Sequence, residues 1–390
     1  AQPVGGRLGD AFGQRRLVLL GLVCLLASSA GAALAWSFPL LLLTRSLQGV
    51  SAALFMPNAV AYLRKQVEPE NLGRVLGTNG AAISTGAALG PVTGGLLLAF
   101  GDWRLLFLVN VPLALLAAWL VFRLEDDPGS GRSALAIDAV SLGALALSFT
   151  GLALAGTSAR LHNPWLIAGG AAVLPVALAA YVLRYRARGR GVVDLRLFTR
   201  RNYAASAAGV ALVNLVMYTT LIATPVYLSD LHDLGDGRIG LMLFAMSVAM
   251  VGISPIAGRW VDRLGARPLV VTGAGALVVA ALVLAAMVGG PPVAWLLLPL
   301  GVLGIGVGLT QAAQQTAALR AWPAAVAGSA SGTFSMMRYV GSVTGTGIMA
   351  AVLGAHPGEG AFRVLFAVLA GFAVAAVLAA LSTSPKARQA

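Results

Sequence analysis

Gly6-Arg7-Leu8-Gly9-Asp10-Ala11-Phe12-Gly13-Gln14-Arg15-Arg16 recurs further along the chain as Gly258-Arg259-Trp260-Val261-Asp262-Arg263-Leu264-Gly265-Ala266-Arg267-Pro268. Gly6 and Gly258, Asp10 and Asp262, Gly13 and Gly265, and Arg15 and Arg267 are each 252 residues apart. A constant offset across four pairs marks one duplicated unit, not two chance loops. Each copy is expected in a short loop between two long apolar runs, so the solvent around those runs decides how the chain folds.

Of the 390 residues, 58% are hydrophobic and only 11% charged, with a mean hydropathy of +0.85. No water-soluble domain of this length carries such a composition, so lipid surrounds most of the chain. A helix needs about 20 apolar residues to cross the hydrocarbon core. Runs of that kind, bounded by charge, Pro or Gly, predict twelve spans: 17–36, 38–63, 75–100, 105–122, 139–157, 164–183, 203–228, 239–258, 268–288, 293–319, 324–353 and 361–381. Unbroken runs such as LLGLVCLLASSAGAALAW exclude a β-barrel, whose segments would alternate over about ten residues. Cys24, the only cysteine, lies in the first run, so neither a disulfide nor a thiol metal site forms within the chain. His162, His232 and His356 fall in external loops without metal spacing, and no metal is expected.

A net charge of +13 would point to nucleic acid in a soluble protein, but its placement removes that motive. With residues 7–16 set in the cytosol and sides alternating thereafter, only Arg104, Arg160, Arg238 and Arg363 of the 27 Lys and Arg fall outside. Arg45 and Arg338 fall within spans. This is the positive-inside asymmetry of a multi-pass inner-membrane protein. AQPVGG carries neither an initiator Met nor a signal pattern, and the expectation is that further N-terminal residues precede it.

The duplicated segment resembles the signature loop G-x-L-x-D-x-x-G-x-R-R of the major facilitator superfamily, whose halves are parallel repeats of six helices. Eight spans separate the two copies where six would be expected, so 139–157 and 164–183 read as an inserted pair, followed by a basic linker over 184–201. The chain then divides into an incomplete N-terminal bundle over 1–123 (end of the second family span through the sixth), the insert and linker over 124–201, and a C-terminal six-helix bundle over 202–390. Two spans before Gly5 would bring the total to fourteen, the number in the drug:proton antiporter branch of EmrB/QacA type. The expected fold class is an all-α polytopic membrane protein of major facilitator type, with twelve of fourteen spans visible. Residues 103–112 (WRLLFLVNVP) and 194–198 (DLRLF) resemble stretches of the same branch.

Carboxylates at helix entrances satisfy orphan backbone N–H groups, while neighbouring arginines reach carboxylates or lipid phosphates. Both copies keep an Asp that topology does not require. The resemblance implies that Gly6, Asp10, Gly13, Arg15 and Arg16, with Gly258, Asp262, Gly265 and Arg267, form a conformational latch on the cytosolic gate. Pro268 departs from the first copy, so the second is expected to hold more weakly. Arg45-x-x-Gln48-Gly49 resembles the family's second motif, associated with proton transfer; an unpaired cation within a span is costly. Gly86-x-x-x-Gly90-Pro91-x-x-Gly94-Gly95 places glycines four apart on one helix face with a proline in mid-span, and it resembles the family's antiporter motif, found mainly in exporters. Its counterpart in the repeat keeps Gly341 and Gly345 without the proline. Asn58, Asn79, Asn214, Gln311, Gln314, Gln315 and Arg338 are candidates to line a substrate cavity.

None of the 14 acidic residues sits at the centre of a span, although proton coupling needs a buried titratable group. The carrier is expected in the family's first span, outside this sequence, with Asp230 and Asp138 as weaker substitutes. The expected function is proton-driven export of lipophilic or amphipathic small molecules by alternating access. The partners are that substrate, protons and membrane lipid; no cofactor beyond the proton gradient is expected, and no accessory export protein is identifiable. An importer of the same fold and a non-transporting or truncated membrane protein are the alternatives. No nucleophile, base or metal cluster has the spacing an enzyme would need.

Overall fold

A computed structural model describes residues 2–99, 101–126, 140, 142–148, 150–151, 164–188, 191–290, 292–354 and 357–383. The described residues are helical throughout their regular structure. In chain order the helices are α1 (Gln2–Phe12), α2 (Gln14–Ala33), α3 (Phe38–Gln66), α4 (Leu72–Ala99), α5 (Leu105–Leu108), α6 (Asn110–Phe122) and α7 (Pro164–Arg188). After a short 3₁₀ segment, Leu195–Thr199, follow α8 (Arg201–His232), α9 (Asp236–Leu264), α10 (Ala266–Met287), α11 (Leu297–Arg320), α12 (Ala327–Leu353) and α13 (Glu359–Leu381).

Eight of the described helical stretches are long and apolar enough to cross a membrane, and α4, α7 and α12 match them in length. Most run a few residues past the apolar stretch at their charged ends, because backbone hydrogen bonding continues where the hydrocarbon stops. The predicted run 105–122 is broken at Val109 into α5 and α6. Residues 139, 141, 149 and 152–157 of the run 139–157 lie outside the described residues, and 142–148 are helical.

The duplicated segments are not loops. Each lies on the end of one helix and the start of the next, separated by a single glycine: Gly13 at φ 99° and Gly265 at φ 84°. That backbone conformation is open to glycine and strained for any residue with a Cβ, which explains why both copies keep a glycine there.

The helices α8 to α13 share one core, with Val213, Leu228, Leu277, Leu300, Leu303, Phe362, Leu365 and Leu369 deeply buried in it. In lipid such packing rests on close van der Waals approach more than on exclusion of water. Accordingly Gly341 and Gly345 of α12 lie against the backbone of α8 at Ala211 and Leu215. A second cluster joins Val60, Leu72 and Leu76 to Tyr203, Val210, Leu319 and Phe334, tying α3 and α4 to the second half at the arginine-rich end. Ala144, Tyr181 and Val193 form a smaller cluster, against which Met336 of α12 packs. The Tyr181 hydroxyl donates to the Val193 carbonyl and accepts from its amide, each at 2.7 Å, pinning the linker to α7.

Candidate gate and transport site

Asp10, in the last turn of α1, reaches the N-terminus of α12. Its Oδ1 accepts from the Gly328 amide at 2.8 Å, and its Oδ2 from the Ser329 amide at 2.7 Å and the Ser329 hydroxyl at 2.8 Å. A carboxylate there satisfies amides with no partner inside the helix and faces the positive end of its dipole. Gln14 donates to the same carboxylate at 3.0 Å and accepts from Lys65 of α3, so three helices of the first half support the contact. The approach requires glycine on both sides, since a methyl on Gly6 would enter the Gly328 carbonyl and one on Gly328 would enter that of Gly6.

Asp262, near the end of α9, repeats the arrangement in the opposite sense. Its Oδ1 accepts from the Gly73 amide at 2.9 Å and its Oδ2 from the Arg74 amide at 2.7 Å, both at the N-terminus of α4. Arg320, ending α11, adds an ion pair to Oδ1 at 2.7 Å. Gly258 faces the backbone of Gly73 and Gly77. Pro268 stands in the first turn of α10, beyond these contacts. The second copy therefore engages two amides and a guanidinium, three donors where Asp10 engages four. Each half thus caps a helix of the other, at the same end of the molecule.

Arg15 turns back into its own half. It donates to the Val121 carbonyl at 3.2 Å, to the Phe122 carbonyl at 2.6 Å and to Asp126 at 3.0 Å, covering the C-terminus of α6, while Arg16 reaches Asp126 at 3.3 Å. Hydrogen bonds from these two arginines hold the Asp126 carboxyl below the usual carboxylate range. Arg267 is half-buried in the first turn of α10.

The other predicted residues fall at three places. Arg45 is exposed on α3, donating to Gln48 at 2.8 Å while Gln48 donates to Ser29 of α2 at 3.0 Å; its guanidinium stands 5.8 Å from the Phe107 ring. Among the described residues, a methyl on Gly49, Gly86 or Gly90 would meet nothing within 4 Å, and one on Gly94 only Leu106 at 3.9 Å. The glycine face of α4 is therefore open where its counterpart, Gly341 and Gly345, is packed; Pro91 and Gly95 lie within the same helix. Asn58, fully buried, donates to the Gly5 carbonyl at 2.9 Å and to the Leu54 carbonyl at 2.6 Å, joining α1 to α3. Asn79 is half-buried on α4. Asp230 is exposed and bonded to Ser229, whereas Asp138 lies outside the described residues.

Asn214 of α8, Gln311, Gln314 and Gln315 of α11, and Arg338 of α12 are on three adjoining helices. Arg338 donates to Gln311 Oε1 at 3.1 Å, and Gln311 Nε2 points to the sulfur of Met217 at 3.8 Å. Gln314 and Asn214 are each 1% exposed. Both side-chain polar atoms of Gln314 and Oδ1 of Asn214 have no hydrogen-bond partner among the described residues.

The motif reading missed the receiving groups: Gly73 and Arg74, Gly328 and Ser329, and the supporting Gln14, Lys65 and Arg320. One signal was available. Gly73 and Gly77 recur as Gly328 and Gly332 at the 255-residue offset that also relates Gly86 and Gly90 to Gly341 and Gly345.

Two helical repeats joined by reciprocal caps define a polytopic membrane transporter. The chain belongs to the major facilitator superfamily, whose family description matches residues 1–346, and is a transporter, not an enzyme. It is 32% identical over 350 residues to the protein named "Uncharacterized MFS-type transporter YwoD" of Bacillus subtilis (strain 168), covering 88% of this chain and 76% of that one. To multidrug resistance protein Stp of Mycobacterium tuberculosis (strain CDC 1551 / Oshkosh) it is 30% identical over 344 residues, covering 86% of this chain and 63% of Stp. Among solved structures, the human organic anion transporter MFSD10 (TETRAN) superposes with a TM-score of 0.72 at 18% identity, covering 97% of this chain and 80% of that one. The proton:xylose symporter XylE bound to 6-bromo-6-deoxy-D-glucose gives 0.69 at 16% identity, covering 97% and 81%. At such identities these two show the fold alone.

Proposed function

We propose that the chain exports lipophilic or amphipathic small molecules in exchange for protons, by alternating access between its two halves. The observation that carries this reading is the pair of reciprocal caps. Each is a contact between halves, made of hydrogen bonds that can break together, and both lie at the arginine-rich end, which the positive-inside rule assigns to the cytosol. A bundle pair held in this way has one closed state at that end and must break both caps to open it. The export direction rests on the resemblance of the Gly86 to Gly95 pattern to the antiporter motif and on the multidrug name of a relative such as Stp. The proposal includes membership of the fourteen-span branch and an inner-membrane location with both termini of the full protein cytosolic, and it rests on the same support.

In this reading the Asp10 and Asp262 assemblies are the latch. Arg45, Gln48 and Gly49 tune proton transfer, and the glycine face of α4 allows the helix to bend or slide. The test is substrate-triggered proton release from proteoliposomes holding the full-length protein, screened against antibiotics and lipophilic ions of both charges. Proton release that tracks substrate uptake is the expected result. A protein shown to be folded that moves no substrate under any gradient would overturn the reading.

A further inference from the structure

The geometry points to the polar seam between α8, α11 and α12 as a binding site for an amphipathic organic anion, with Arg338 holding the anionic group. This names the substrate class for the transport reading above and rests on it only for the claim that the bound anion is moved.

Arg338 lies near the middle of α12, roughly 16 Å along the axis from its first residue at 1.5 Å per residue. A cation at such a depth normally has a counter-ion or marks a ligand path. The acidic residues of 202–390 are Asp230, Asp233, Asp236, Asp262 and Glu359. All stand at or just beyond helix ends, and Asp262 is already committed to α4 and Arg320. The six helices of the second half thus supply Arg338 with no carboxylate at its own depth. Its hydrogen-bond partner is the neutral Gln311.

The surroundings offer more polar capacity than the fold consumes. Both amide atoms of Gln314, Oδ1 of Asn214, and the hydroxyls of Thr219 and Thr220 are buried without partners among the described residues. Buried polar groups are ordinarily bonded, and an unsatisfied set of this size requires an explanation. Among the described residues Gln311 Nε2 meets a thioether sulfur, a weak acceptor, which an anionic oxygen would improve upon. A carboxylate or sulfonate brings acceptors only, and the guanidinium with the glutamine and threonine donors matches that inventory. Tyr218 of α8 and Tyr339, next to Arg338 on α12, are 37% and 45% exposed. With Met217 they offer aromatic and polarizable surface to an apolar body. A lipophilic cation would find the same apolar surface but meet like charge.

The two possibilities separate with dyes that share a ring system and differ in charge. Full-length protein in neutral-lipid nanodiscs would be titrated with fluorescein, an anion, and rhodamine 123, a cation, and binding read by fluorescence anisotropy. Fluorescein is expected to bind at least tenfold more tightly. Arg338→Gln should remove that preference, and Arg338→Lys should keep part of it. Gln311→Glu, which sets a carboxylate beside the guanidinium, should weaken fluorescein at least tenfold while leaving rhodamine 123 unchanged or improved. Because Gln311→Glu adds no volume and leaves Arg338 paired, it tests the site even where Arg338→Gln fails to fold. Rhodamine 123 binding as tightly as fluorescein, no fluorescein binding at all, or fluorescein affinity within twofold of wild type in both Arg338→Gln and Gln311→Glu would overturn the assignment. Gradient-driven flux, measured separately, keeps the two readings apart. Fluorescein binding without flux removes the transport reading and leaves the site standing, whereas rhodamine 123 flux without fluorescein binding does the reverse.

Discussion

Replacing Asp10 by Asn keeps the shape of the first cap and removes its charge. The carboxylate accepts from two backbone amides, one hydroxyl and the Gln14 side chain, two donors on each oxygen. With its NH₂ in place of Oδ1 the bonds from Gly328 and Gln14 are lost; in place of Oδ2 the Ser329 amide bond is lost while the hydroxyl can turn to accept, so at least one backbone amide is left unpaired and the remaining bonds lose their charge. Hydrogen bonds to a charged group contribute about 1.5–3 kcal/mol each, and part of the loss is recovered by hydration as the gate relaxes. A net shift of about 3 kcal/mol toward the open state is expected, a change of roughly a hundredfold in the equilibrium constant. Ser331, 1% exposed and one turn beyond the cap, is a reporter: with Cys24→Ser as background, Ser331→Cys should be shielded in the closed state. Membrane-impermeant maleimide applied from the arginine-rich side should label it at least tenfold faster in Asp10→Asn, with export reduced and membrane insertion normal. Labelling within twofold of the parent, together with unchanged export, would refute the latch.

Other expectations follow from the same geometry. Gly13→Ala and Gly265→Ala impose a Cβ at φ 99° and 84°, a strain of about 1–3 kcal/mol each, and should lower the melting temperature of detergent-solubilised protein. Gly6→Ala and Gly328→Ala should do the same by forcing the halves apart, whereas Gly86→Ala and Gly90→Ala, with open space around them, should melt like wild type; lost export in the latter pair would then report function and not folding. Tyr181→Phe removes two hydrogen bonds to Val193 and should speed exchange of that amide by roughly tenfold, at about 1 kcal/mol per bond, as read by hydrogen exchange. Because Arg15 and Arg16 depress the Asp126 carboxyl, their contact should hold at neutral pH and be lost only as the pH falls below the ordinary carboxylate range; exchange of residues 120–126 across a pH series would show it.

The helices and the duplication were legible in the sequence because both are one-dimensional signals. Length and hydropathy define a span wherever the solvent is lipid, and a repeat offset survives any arrangement in space. The two aspartates could be singled out on the same ground, since topology alone does not require an acid among arginines. Less could be read of what surrounds them. The expectation of a loop at each copy failed because one glycine with positive φ suffices to change the direction of the chain, and hydropathy does not register one residue.

Sequence by itself determined that this chain is an all-helical membrane protein with a duplicated signature and a fixed distribution of charge, because these depend on transfer of side chains between water and lipid. Tertiary structure alone decided which groups meet. Asp10 finds Gly328 and Ser329 across more than three hundred residues, Asp262 finds the start of α4, and Asn58 bonds α1 to α3. A carboxylate recognises unpaired amides and a dipole, not a residue type, so its partner leaves almost no trace in the identity of the residues that receive it.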